Sequence, residues 1–155
     1  MRNAIRHRSS RALAVLAVMI AAGPAASQGA PPPLAEIYRV DVAPVFAGNR
    51  TILEQPIAYP AGVPGISVAI VTIPPGGETG WHTHAVPLFG YVLEGVLTVD
   101  YGTRGIVRYE AGTGFLEAID WPHNGLNQTT TTVRILAVYL GAEGVPNATP
   151  AAGPQ

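Results

Sequence analysis

Two histidines stand one residue apart in Gly80-Trp81-His82-Thr83-His84, directly after the turn-forming run Pro74-Pro75-Gly76-Gly77. A third, His123, follows about forty residues on, and His7 near the amino terminus is the fourth of the chain's four histidines. In a β-strand, residues i and i+2 point to one face. His82 and His84 can therefore present two imidazoles side by side. A third imidazole from a neighbouring strand would complete a facial set for a divalent metal. Imidazole donors suit iron, manganese, zinc, copper or nickel, so the residue types imply one divalent transition metal without choosing among these. The competing reading of the same histidines is a ligand pocket lined by imidazoles, with no metal.

Glu117 is the other residue of chemical interest. It lies between Leu116 and Ala118, upstream of His123. A carboxylate among apolar neighbours is costly to bury unless it is paired or ligating. Glu117 reads as a general base or a fourth ligand, or else as a solvated rim residue. Trp81 and Trp121 neighbour the histidines and read as packing residues, with an aromatic wall for a ligand as the alternative. Leu88, Phe89, Tyr91, Val92 and Tyr139 are candidates for an apolar lining. Asn124 and Asn127, which follow His123, read as turn hydrogen-bonders, with a supporting contact to His123 as the alternative. Glu78 and Asp120 read as solvent contacts, and Gln55, before Pro56, suggests no role.

Strands must position these residues, because helical periodicity is absent. Short runs rich in Val, Ile, Leu, Thr and Tyr alternate with Gly and Pro punctuation. The runs are 37–42, 66–73, 89–93, 96–101, 106–109, 115–119 and 131–140, with Gly102-Thr103-Arg104-Gly105 as a hairpin turn. Many short strands with Gly-rich turns predict an all-β sandwich or barrel, closed so that its edges are hidden and its interior can hold a small ligand.

The ends of the chain read differently. Arg2, Arg6, Arg8 and Arg11 precede an apolar stretch, Ala12 to Ala22, and then Ala25-Ala26-Ser27. This is the pattern of a secretory signal peptide over residues 1–27. The apolar stretch is well short of the ~20 residues a membrane span needs. Residues 28–35 read as a flexible lead-in, 36–143 as a single β domain and 144–155 as a disordered tail. The expected location is periplasmic or secreted, with no membrane attachment after cleavage. The chain has no cysteine and hence no disulfide. Past the signal, five arginines and no lysine stand against ten carboxylates, a balance that argues against nucleic acid as a partner.

The two histidine segments resemble the cupin family. Its first motif runs Gly, five residues, His-x-His, three or four residues, Glu, six residues, Gly. Here it reads Gly76, five residues, His82-Thr83-His84, three residues, Leu88, six residues, Gly95. The second runs Gly, five residues, Pro-x-Gly, two residues, His, three residues, Asn. Here it reads Gly112, five residues, Ala118-Ile119-Asp120, two residues, His123, three residues, Asn127. The departures are Leu88 in place of the glutamate and the missing Pro and Gly of the second motif. The resemblance implies a double-stranded β-helix, a small jelly-roll barrel. It also implies that His82, His84 and His123 point inward to one metal and that Leu88 removes the fourth ligand. A three-histidine site of that kind implies chemistry on a small organic substrate: dioxygenation, isomerisation or hydrolysis. Small-ligand binding or sensing without catalysis is the alternative. A homodimer is expected by family analogy alone.

Overall fold

The computed structural model describes residues 40–153, and the expected signal peptide and lead-in lie outside them. Nine strands are present among these residues. They are β1 (Pro64–Ile73), β2 (His82–Thr83), β3 (Leu88–Glu94), β4 (Val96–Asp100), β5 (Ile106–Glu110), β6 (Gly114–Leu116), β7 (Asn124–Leu126), β8 (Val133–Ala142) and β9 (Thr149–Pro150). One 3-10 turn, Gly102–Arg104, closes the β4–β5 hairpin. The all-β double-stranded β-helix expected from the sequence is the fold observed.

The strands form a four-stranded sheet in the order β1-β8-β3-β6, a three-stranded sheet in the order β5-β4-β7, and the pair β2-β9. All pairings are antiparallel. The chain changes sheet between β3 and β4 at a single residue, Gly95, which has φ 78°. A Cβ there would lie 2.6 Å from the Thr132 carbonyl oxygen, so only glycine fits the corner.

Alternation decides what faces in. On β3, Leu88, Gly90 and Val92 are buried, while Phe89 and Tyr91 are half-buried on the other side. On β4, Leu97 and Val99 enter the core, opposite Tyr109 and Val107 of β5. Tyr109 stacks on Phe115 with ring centroids 4.0 Å apart. The Phe115 ring in turn lies over Gly90, where a Cβ would come within 2.5 Å of it. Burial of these residues from two facing sheets is the main stabilising term, at roughly 25 cal/mol per Å² of apolar surface.

Three expectations are corrected here. The run at 37–42 is not a strand where it is described: Val40 to Val42 have no regular structure and are exposed. The segment 144–155, read as a disordered tail, is ordered as far as residue 153. Thr149–Pro150 pairs with His82–Thr83, and the Ala151 amide donates to the Trp81 carbonyl at 3.0 Å. Its composition lacks core-forming side chains, but its order comes from backbone hydrogen bonds, which composition does not report. The strand expected at 115–119 ends at Leu116. Asp120, standing where the second motif has glycine, adopts φ 50°, a left-handed conformation that aspartate tolerates better than most residues.

Gly90→Ala tests the packing logic. The methyl group must displace the Phe115 ring from its stack on Tyr109, so the substitution is expected to cost about 1–3 kcal/mol by overpacking. Urea denaturation followed by circular dichroism measures it, and an unchanged midpoint would show that the ring has room to move.

Candidate functional site

His82 and His123 are brought together by the backbone. The His82 amide donates to the His123 carbonyl and the His123 amide to the His82 carbonyl, both at 3.0 Å. The two residues thus form a directly opposed antiparallel pair. His84 follows two residues on, and its carbonyl accepts the Asp120 amide at 2.8 Å. The result is three imidazoles with ring centroids 4.5–5.0 Å apart. One donor atom from each of the three lies within 4.8 Å of the others. No other such cluster occurs among the described residues.

Each ring is oriented by its Nδ1. His82 Nδ1 is 2.8 Å from the Gly80 carbonyl oxygen, His123 Nδ1 is 2.8 Å from that of Trp121, and His84 Nδ1 is 2.6 Å from that of Asn147. A carbonyl oxygen only accepts, so Nδ1 carries the proton in all three rings. Each Nε2 therefore offers a lone pair. His123 Nε2 is fully buried and has no hydrogen-bond partner. A buried nitrogen lone pair without a donor is costly, and a cation would satisfy it. The protonation states agree. Burial holds His84 and His123 down at about 4, helped by the neighbouring imidazoles and opposed by the carbonyls on Nδ1. Both are neutral at ordinary pH, as metal ligands must be.

Glu117 is 4% exposed and close to this cluster without belonging to it. Its Oε2 lies 3.8 Å from His123 Nε2. Its backbone amide donates to the Leu88 carbonyl at 2.9 Å, so Glu117 sits beside the residue that stands at the family's glutamate position. Burial pushes its carboxyl up to about 7, against the opposing effects of the Ala118 amide, the Tyr101 hydroxyl and His82. The Ala118 amide donates to Oε1 at 2.7 Å. Tyr101 and Tyr109 are linked through their hydroxyls at 3.2 Å, and burial raises both phenols far above their ordinary range.

The histidines and Glu117 open on a cavity of about 580 Å³. Its walls are mainly apolar: Val71, Leu88, Leu97, Val99, Phe115, Ile135 and Ala137, with Trp81 and Tyr139. Of the five residues considered for an apolar lining, Leu88 and Tyr139 line it. Val92 lies in the core, and Phe89 and Tyr91 are on the opposite side of β3. Trp121 is a packing residue against the core, donating Nε1–H to the Tyr101 carbonyl at 2.9 Å, with the Arg104 guanidinium 5.3 Å from its ring centroid. Trp81, read as packing, lines the cavity instead, because β2 is too short to impose alternation on its neighbour. Asn127 does bond a turn: it donates to Ile73 and Thr131 carbonyls and accepts from Thr129. Glu78 is exposed to solvent, as read, and also accepts from Asn124 Nδ2 at 2.7 Å.

Sequence reasoning missed three contributors. Gln55 clamps the segment between Glu117 and His123, donating Nε2–H to the Ile119 carbonyl at 2.7 Å and accepting the Ile119 amide at 3.0 Å. Tyr101 backs Glu117, and Asn147 orients His84. The signal for Gln55 and Asn147 is a contact across more than sixty residues, which no local pattern carries.

A family model described as "Cupin domain" matches residues 69–139, a span that holds all three histidines and Glu117. Residues 69–139 thus form a cupin domain. No curated protein matches the sequence. Among solved structures, this chain is similar to the oxalate decarboxylase of Lactobacillus farciminis in its formate complex, with 23% identity over 55% of this chain and 26% of that one and a TM-score of 0.49. It is similar to an oxalate oxidase, with 22% identity over 56% of this chain and 46% of that one and a TM-score of 0.48. A Klebsiella pneumoniae protein with a double-stranded β-helix domain gives 15% identity over 68% of this chain and 99% of that one, with a TM-score of 0.49. The chain thus spans about a quarter of the oxalate decarboxylase and under half of the oxalate oxidase.

The shifted groups fix a pH dependence for the metal-free protein. His84 and His123 take up protons near pH 4 when folded and near 6.5 when unfolded. Their stabilising contribution is complete above 6.5 and is lost as pH falls through about 4. Glu117 acts in the opposite sense: its contribution is full below 4.5 and is lost as pH rises through about 7. Between 4.5 and 6.5 two histidines outweigh one carboxylate, so the urea midpoint is expected to rise with pH there. Glu117→Gln is expected to steepen that rise. A flat profile in both proteins would refute the assignment of these groups as the titrating ones.

Proposed function

We propose that this cupin binds one divalent transition metal through His82, His84 and His123 and acts on a small organic substrate held in the cavity. The observation that carries the reading is the buried, unpartnered Nε2 of His123, aligned with two further rings whose Nδ1 atoms are already engaged. A bound divalent ion would supply Lewis-acid polarisation of a substrate oxygen, and an iron or manganese ion would add redox capacity.

The protein's own part follows from its residues. Three neutral imidazoles leave the double charge of the ion uncompensated. The site therefore selects anionic oxygen donors such as an enolate, a phenolate or a carboxylate. The apolar walls exclude water and bury the hydrocarbon part of the substrate. Glu117, with its carboxyl near neutrality, can take a proton from a substrate carbon or hydroxyl and return it. That range of roles fits dioxygenation, isomerisation or hydrolysis. Ligand binding without chemistry is the second reading, favoured by the apolar Leu88 at the position of the family's glutamate. We also propose that the chain is exported, a reading supported by the basic, apolar and small-residue pattern of residues 1–27.

The test is metal content of the exported protein, prepared without a histidine tag or chelator. About one equivalent of a single metal is expected, with Gln28 as the amino-terminal residue. His82→Ala and His123→Ala are each expected to abolish it while the far-UV circular dichroism stays that of a folded β protein. Glu117→Gln is expected to retain metal and lose turnover, as a general base requires; equal loss of both would make Glu117 a ligand. A chain that takes up none of zinc, iron, manganese or copper would leave the ligand-binding reading standing alone.

A homodimer is proposed on the outer surface of the edge strand β1. Ile66, Val68 and Ile70 are 70%, 60% and 47% exposed there, on a strand that has one unpaired edge among the described residues. Sedimentation equilibrium is expected to give a dimer that Ile66→Lys with Val68→Lys converts to monomer. A monomeric unaltered chain would exclude this surface.

A further inference from the structure

The three orienting hydrogen bonds of the histidines are not alike. Those of His82 and His123 are local, each to the carbonyl two residues before. That of His84 reaches Asn147, sixty-three residues away, in the segment that follows β8. The segment is fastened at several points. The Glu143 amide donates to the Val63 carbonyl at 3.0 Å, and Asn147 Nδ2 donates to Ser67 Oγ at 2.6 Å. Pro150 and Thr149 pair with His82 and Thr83, and the Ala151 amide donates to Trp81. Gly153 then lies against the Trp81 indole so closely that a Cβ would be 2.8 Å from Nε1.

The segment also closes the cavity. Ala148 and Pro150 line it beside Trp81, yet both remain exposed on their outer side. Val145 and Asn147 are only half-buried, and the bond from Asn147 to Ser67 is solvent-exposed. A segment held by a few backbone bonds at the surface, with no side chain in the core, belongs to the low end of a protein's local stability range. One ring of a buried cluster is thus oriented by a partly exposed surface segment.

We propose that Asn147–Gly153 is a strap that completes the metal centre and gates the cavity. When seated, the Asn147 carbonyl holds the proton of His84 on Nδ1 and aims Nε2 at the other two histidines. When released, the His84 ring loses its acceptor and is free to rotate and exchange tautomer, while the wall formed by Ala148 and Pro150 opens. Metal retention and substrate access are coupled in this way. Asn147 is a positioning residue: its side chain anchors to Ser67 and its carbonyl acts on His84. The inference rests on the metal reading above and assigns the carboxyl-terminal segment a part in that site.

The experiment compares Co²⁺ affinity of the full chain by competition with a chromophoric chelator, in the unaltered protein, Asn147→Ala, Asn147→Asp and Ala151→Pro. Loss of a partner that orients a metal-binding histidine lowers affinity roughly 10- to 100-fold. Asn147→Ala, which loses the anchor on Ser67, and Ala151→Pro, which loses the amide bound to Trp81, are expected to bind about tenfold more weakly. Asn147→Asp, which can accept from the Ser67 hydroxyl, is expected to restore binding. The metal-free urea midpoints of the two asparagine variants are expected to match that of the unaltered chain. Amide hydrogen exchange across residues 147–151 of the unaltered protein is expected to slow when Co²⁺ binds, a result that stands even if Ala151→Pro fails to fold. Normal affinity in Asn147→Ala together with metal-independent exchange would overturn the strap. No Co²⁺ uptake by the unaltered chain would overturn the metal reading and the strap together.

Discussion

The reciprocal backbone pair between His82 and His123 is the constraint on which the site depends. It is a single opposed bridge joining two segments that are forty residues apart in sequence, and it lies outside the regular ladders of both larger sheets. Because the two residues face each other directly, their rings start from neighbouring backbone positions, and His84 joins them by the two-residue repeat of an extended chain. Everything else keeps that bridge in place. Gln55 and the Asp120 amide fix the approach to His123 from one side, and β9 pairs with His82 from the other.

Burial then sets the chemistry. Burial under apolar side chains disfavours the imidazolium form, and desolvation keeps His84 and His123 neutral far into the acid range. The same burial raises Glu117. A low dielectric thus acts oppositely on bases and acids and yields one arrangement: neutral donors facing a space suited to a cation, with a carboxyl near neutrality beside them. Leu88 sharpens this. Its carbonyl accepts the Glu117 amide, so a carboxyl group is still present next to the family's glutamate position, but it comes from a neighbouring segment and stands outside the three-histidine cluster.

The domain is uneven in how firmly it holds its parts. Tyr101, Tyr109, Phe115 and Val92 make a core that fixes β3, β4, β5 and β6 by close packing. The carboxyl-terminal segment has no such anchor and relies on hydrogen bonds at its edges.

The sequence alone determined the fold class, the strands that carry the core, and the identity of the three histidines. These are properties of local pattern: β-branched runs, turn residues, and a His-x-His repeat whose period matches a strand. It also showed that Leu88 replaces a carboxylate and that Glu117 is out of place among apolar neighbours. Only the tertiary structure decided that Glu117 sits 3.8 Å from His123, that Trp81 lines the cavity while Trp121 packs the core, and that Gln55 and Asn147 serve the site. The same holds for residues 144–153, whose Pro, Ala and Gly composition reads as a loose tail although Thr149 and Pro150 pair with β2 and the Ala151 amide bonds the Trp81 carbonyl. The physical reason is common to all of these. Local pattern records which face of a strand a side chain takes, whereas contacts between distant segments, many of them through backbone groups that all residues but proline share in full, leave no mark on local pattern.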